Sequence, residues 1–209
     1  MTRRGLQRAL LGGVLAVSAA ASLWWMGTVP YRPRAVLDAV PEQAAWVSLH
    51  ASPAARWPDL RSNSLVRALA RLENMDLVKL ESWMARFPNR LLVARLGSRE
   101  AAVAYVPAMP GSGKPAWVIA CWAGGGSQQL RWVLNLRGPK PYIDPSLDGA
   151  HPIWPFRVAG WPADRRLSVA IREGLVLAAV STDPIAVRDC LAAAEGMPAC
   201  RSIRGSGAA

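Results

Sequence analysis

Residues 9 to 29 carry no charged side chain, and Arg3, Arg4 and Arg8 stand directly before them. As a helix this run rises roughly 31 Å, which matches a hydrocarbon core of about 30 Å. Leu10, Leu11, Val14, Leu15, Val17, Leu23, Trp24 and Trp25 supply its apolar surface. The pattern predicts a single-pass transmembrane signal-anchor in a lipid bilayer. The three arginines hold residues 1–8 as a basic cytoplasmic tip, so the chain beyond residue 29 lies on the exported side. A cleaved signal peptide is the competing reading, because Ala19-Ala20-Ala21 satisfies the small-residue rule and would leave Ser22 first. Leu23 to Met26 extend the apolar run past that point, and paired tryptophans suit the headgroup interface of a retained helix. Tyr31-Arg-Pro-Arg34 then opens a stiff stem over 30–40.

About 175 residues follow Arg34, enough for one ordinary domain. Of the net charge of +11, five units come from Arg3, Arg4, Arg8, Arg32 and Arg34. The remaining arginines are spread along the chain without a basic run, so no nucleic-acid partner is expected. Eight of the ten tryptophans lie beyond the apolar run, and they read mainly as core in a chain with two phenylalanines.

Periodicity places a strand at about 44–50, and then a helix carrying Leu65, Leu69 and Leu72 with Ser62 or Ser64 as its cap. A second helix starts at Asp76, carries Leu77, Leu80, Met84 and Phe87, and stops at Pro88. Residues 90–97 and 101–106 read as a β-hairpin about Ser98-Arg99, and 117–122 as a third strand. Gly124-Gly125-Gly126 opens a helix with Leu130, Val133, Leu134 and Leu136. Pro152, Pro155 and Pro162 break up whatever strand lies around 156–159. Residues 167–171 and 175–180 form a tight hairpin about Glu173-Gly174. Ser181-Thr-Asp-Pro184 starts a last helix, with Val187, Cys190, Leu191 and Ala194 on one face and Gly196 at its end. Residues 101–136 and 167–195 thus share a strand–strand–helix order. The predicted fold is α+β: an antiparallel sheet with helices on one face, built partly from hairpin–helix (ββα) units and preceded by one transmembrane helix. The exported domain is expected over 41–198, with 199–209 as an unstructured tail.

Chemistry-bearing residues are sparse. His50 and His151 are the two histidines, and no His/Cys/Asp/Glu cluster has metal-ligand spacing, so neither metal nor cofactor is expected. Asp144, Ser146 and Asp148 read as a solvated turn rather than a calcium loop. Gly111-Ser-Gly-Lys114 lacks the glycine and the Ser/Thr of a phosphate loop. Ser48, His50, Ser181 and Asp183 contain the residue types of a nucleophilic triad, but no nucleophile elbow surrounds either serine. Cys190 either bridges to Cys200 or remains a buried thiol, and Cys121 reads as core.

Val40-Pro-Glu-Gln-Ala-Ala-Trp-Val-Ser-Leu49, Trp57, Arg61-Ser-Asn-Ser-Leu-Val66 and Ser181-Thr-Asp-Pro184 resemble motifs of a group of uncharacterised, N-terminally anchored bacterial envelope proteins carrying a domain of unknown function. The resemblance implies a bacterial inner-membrane location, with the C-terminal domain on the periplasmic side. It implies no activity. The residues favour an interaction or scaffold domain with an envelope protein partner. A ligand-binding module using exposed tryptophans with Arg131, Arg137 or Arg157 is the alternative, and a cryptic hydrolase using Ser48 and His50 is the third reading.

Overall fold

The computed structural model describes residues 3–27, 29–32, 34–86, 89–97, 99–145, 147 and 151–196. Its elements run α1 (Arg3–Gly27), α2 (Ala35–Asp38), β1 (Trp46–Ala51), α3 (Trp57–Ser62), α4 (Ser64–Leu72), α5 (Leu77–Ala85), α6 (Asn89–Leu96), β2 (Glu100–Val106), β3 (Ala116–Trp122), α7 (Gly126–Arg137), β4 (Tyr142–Ile143), β5 (Pro152–Phe156), β6 (Arg166–Arg172), β7 (Leu175–Ser181) and α8 (Val187–Ala194). The fold is α+β, around one seven-stranded sheet in the order β1-β2-β3-β7-β6-β5-β4 with every pairing antiparallel.

The sheet has an internal near-symmetry. β3 and β7 pair at its centre, with Ala116 opposite Ser181 and Trp122 opposite Leu175. The two-fold that exchanges them carries β2 onto β6 and β1 onto β5. Ser48 of β1 then takes the place of Trp154 in β5.

The helices break this symmetry. Adjacent strand residues point to opposite faces. Leu177 and Ala179 join a core cluster with Val187, Cys190 and Leu191 of α8 and Val36 of α2. Val176 joins the other cluster, with Leu130 and Leu134 of α7, Trp154 and Ile171. Helices therefore cover both faces, not the one expected from sequence. The two hairpin–helix units match through their strands and part company at α7 and α8.

Several local expectations are corrected. α6 (Asn89–Leu96) stands where a strand was expected over 90–97, with Arg90 N donating to Arg86 O and Gly97 N to Val93 O. A short apolar run fits either period, and β2 finds its partners in β1 and β3 instead. The helix expected after Ser62 or Ser64 is α4, but Ser62 ends a further helix, α3, rather than capping it. Ser62 Oγ turns back to Asp59 O, and Leu72 is exposed while Ala70 is buried. Val133 and Leu136 of α7 also face outward. β5 lies earlier than expected and includes Pro152 and Pro155. β4 pairs only with Pro152 and Ile153, so Pro155 sits where β5 has become an edge, the position that tolerates proline.

The stretch expected as a stem packs into the domain. Val29 contacts the core, and Val36, Ala39 and Val40 are buried. Phe87, Pro88, Ser146, Asp148, Cys200 and the 199–209 tail lie outside the described residues.

Local chemistry explains the caps and turns, including one that moves a helix start. Asp76 caps α5, accepting from Val78 N at 3.1 Å and Lys79 N at 3.0 Å. Glu173 and Gly174 have φ of +42° and +91°, which gives the two-residue turn the twist its strands need. Asp183 accepts from Ile185 N at 3.0 Å and organises a turn before α8, which starts three residues later than the Asp-Pro motif suggests. Gly196 ends α8 at φ +71°.

Candidate functional site

α1 is the first feature with functional content. Leu10, Leu11, Val14, Leu15, Val17, Leu23 and Trp24 are all exposed. Successive residues turn by about 100°, so Leu10, Leu11, Leu15, Leu23 and Trp24 between them face every quarter of the helix. Among the described residues no helix is long and apolar enough to cross a membrane. The unbroken run of described side chains, Leu10 to Trp24, covers about 22 Å. Arg3, Arg4, Arg8 and Trp25 fall within α1, and their side chains lie outside the described residues.

Where the chain leaves α1, a cleft of about 390 Å³ opens between Tyr31, Arg32, Arg34, Asp38, Trp122 and Arg172, with Glu173, Leu175 and Ala194 completing its wall. The volume falls in the range of small-molecule pockets. Tyr31 stands edge-on to Trp122, with ring centroids 5.5 Å apart, and donates its hydroxyl to Glu100 Oε2. That hydrogen bond holds the phenol proton and raises the Tyr31 pKa. Arg32 pairs with Glu173 at 2.8 Å, with both side chains exposed. Arg172 reaches the buried side chain of Glu195 at 3.2 Å, and His151 approaches the same carboxylate at 3.5 Å. The cleft therefore mixes guanidinium and carboxylate groups over an aromatic floor. Arg131, Arg137 and Arg157, the arginines singled out from sequence, do not line it. Arg32 and Arg34 do, and the one signal for them was their place at the exit from the apolar run.

The second feature is β1, which ends the sheet. Val47 and Leu49 are 43% and 54% exposed on the α2/α8 face, and Trp46 is 43% exposed on the other. Trp46 stands edge-on to Trp117 and Tyr105 is tilted against it, with ring centroids 6.1 Å and 5.1 Å away. Trp117 Nε1 donates to Glu73 at 3.4 Å, and Arg165 bonds the other oxygen of that carboxylate at 2.7 Å. Of the tryptophans expected in the core, Trp122 and Trp154 are fully buried, whereas Trp46 and Trp132 are exposed.

The triad residues are not assembled. Ser48 Oγ and His50 Nε2 lie 2.9 Å apart on β1. Asp183 follows β7, three strands away across the sheet, roughly 14 Å at the usual strand spacing. Ser181 donates to Pro115 O, and its oxygen accepts from Asp183 N.

Neither glycine-rich segment offers a free anion cradle. Gly111 N donates to Asp189 at 2.9 Å, and Gly113 N to Met109 O at 2.7 Å. The N–H groups of Gly126, Ser127 and Gln128 bond back to Ala123, Gly124 and Gly125.

Asp144 is buried rather than solvated and takes Arg188 Nη1 at 3.4 Å. Arg188 also lies 3.6 Å from Asp189, whose pKa is raised chiefly by burial. Among the described residues no group of three or more potential ligands could hold a metal ion. Burial pushes the Cys121 thiol up to about 12, and Cys190 is fully buried. Compared with family models, curated proteins and solved structures, the chain matches none.

Proposed function

We propose that this chain is a single-pass inner-membrane protein of the bacterial envelope, and that its exported domain works by interaction, as a scaffold or assembly factor. The observation that carries the membrane part is the apolar surface on every quarter of α1. A groove on a soluble partner covers one stripe of a helix, whereas a bilayer covers all of it. Among the described residues no strand pairs with the outer edge of β1, which supports the interaction part, since an apolar terminal strand is a template for strand addition.

Carbonate extraction followed by protease treatment of spheroplasts carrying a C-terminally tagged chain tests the reading. The expected result is a pelleted, full-length protein that loses its tag. A soluble protein beginning at Ser22 would replace the anchor with a cleaved signal. A protected tag on a pelleted protein would reverse the orientation.

The cleft beside Tyr31 and Trp122 favours a second reading, a module for an envelope ligand with both charge signs. Titration with cell-wall or lipid headgroup fragments, read by tryptophan emission, should then give a saturable change that Arg34→Ala weakens. A linear or absent response removes this reading.

A further inference from the structure

The near-symmetry of the sheet identifies what is missing at β1. Its counterpart β5 carries β4 on its outer side, and α7 closes over Trp154. Among the described residues β1 is the terminal strand, and Trp46, Val47 and Leu49 are exposed. Edge strands that must stay unpaired usually carry a lysine, a proline or an inward charge. Trp46-Val-Ser-Leu-His-Ala51 has none of these.

We propose that a second copy of this chain occupies the position, its β1 pairing antiparallel with this β1 about a two-fold axis at Ser48. Opposite residues of an antiparallel pair share a face, so self-pairing must match residues of like parity. Centring on Ser48 sets Val47 opposite Leu49 of the second copy, and Leu49 opposite its Val47. Those two apolar pairs form on the α2/α8 face, where both residues are exposed. On the other face Trp46 stands opposite His50. No like charges meet, so self-pairing carries no electrostatic penalty.

The edge offers six residues for pairing, whereas a stable interface takes roughly 20–30 residues a side. The dimer is therefore weak in free solution and depends on confinement of both copies to one membrane, which raises their effective concentration. In this respect the proposal rests on the anchor reading above.

The test uses the full chain reconstituted in liposomes. Ser48→Cys should give a symmetric disulfide-linked dimer on mild oxidation, at least tenfold faster than Val78→Cys, a more exposed control on α5. Resonance energy transfer between labelled copies should fall at least tenfold in Leu49→Lys, whose substitution lies at an exposed position and leaves the monomer folded. No energy transfer in the wild type, or equal crosslinking from residues 48 and 78, overturns the proposal. So does preferential crosslinking of residue 48 to a different envelope protein in whole cells. If carbonate releases the chain but Ser48→Cys still crosslinks selectively at high concentration, the anchor reading fails and the pairing stands.

Discussion

β1 and β5 hold equivalent places in the sheet, one on each side of the central β3–β7 pair, yet they live in different solvents. Ile153 and Trp154 of β5 are fully buried, whereas Val47 and Leu49 of β1 are about half exposed. The strand residues alone do not account for this. β5 contains two prolines and β1 contains none, so β1 is by composition the better strand. On the α2/α8 face Ile153 joins the cluster of Val187, Cys190 and Leu191, which Val47 and Leu49 do not reach; on the other face the difference comes from the helix that succeeds each hairpin. α7 turns onto the face that includes Trp154 and buries it, while α8 turns onto the opposite face and covers the sheet centre. A strand's environment is thus set by the direction taken by a helix distant from it in sequence.

The widest gap should appear between the matched positions Trp154 and Ser48. Trp154→Ala opens a cavity beneath α7 and should cost about 3–5 kcal/mol in denaturant unfolding. Ser48→Ala loses a half-buried contact with His50 and should cost about 1 kcal/mol or less. Equal losses would mean that β1 is as deeply covered as β5, and the comparison would fail.

The hairpin turns form the next pair. Gly174 and Gly113 both have positive φ. A Cβ on Gly174 would also come within 3.0 Å of Trp122 and Val29, whereas one on Gly113 meets open space. Gly174→Ala should cost about 1–3 kcal/mol and Gly113→Ala the lower end of that range. A thermal-melt ranking in the reverse order would show that the long β2–β3 loop, not the tight turn, holds the sheet together.

Asp189 ties the two halves, joining α8 to Gly111 in the β2–β3 connection. Burial raises its pKa above the ordinary value of 3.8, so the folded chain keeps this proton to higher pH than the unfolded chain. Its contribution is most favourable below that value, falls as pH rises towards the raised pKa, and is constant beyond it. Asp189→Asn keeps an oxygen for Gly111 and removes the titration. The melting-temperature difference should therefore shift in favour of Asn between pH 3 and pH 7. A difference independent of pH would show that Asp189 ionises equally easily in both states.

The smallest effect belongs to the cleft. Arg32 and Glu173 are exposed, so Arg32→Ala should change stability by about 0–1 kcal/mol. A larger loss on unfolding would mean that the chain leaving α1 is a structural strap rather than the wall of an open cleft.

Much of the local structure was legible because its causes lie within a few residues. The Asp76 cap, the Glu173-Gly174 turn, the Asp183 turn and the Gly196 terminator each follow from side-chain oxygens or backbone angles that adjacent residues supply. The apolar run at residues 9–29 is legible for the same reason, since its content depends on no partner in the fold. The candidate site was less so. Ser48 and His50 stood out as chemical types, but their importance comes from lying on the uncovered edge. Arg32 and Arg34 read as a stem from sequence, whereas Val29, Tyr31 and Val36 pack this stretch against the domain.

The sequence by itself determined the tight turn at Glu173-Gly174, the start of α5 at Asp76 and which segment is uniformly apolar, because those preferences act over one or two turns of chain. Tertiary structure decided that Asn89–Leu96 is helical, that proline-bearing β5 joins the sheet, and that α7 and α8 take opposite faces. Each of these depends on pairing or burial between residues far apart in sequence. A local period cannot encode on which side of the sheet the next helix lies.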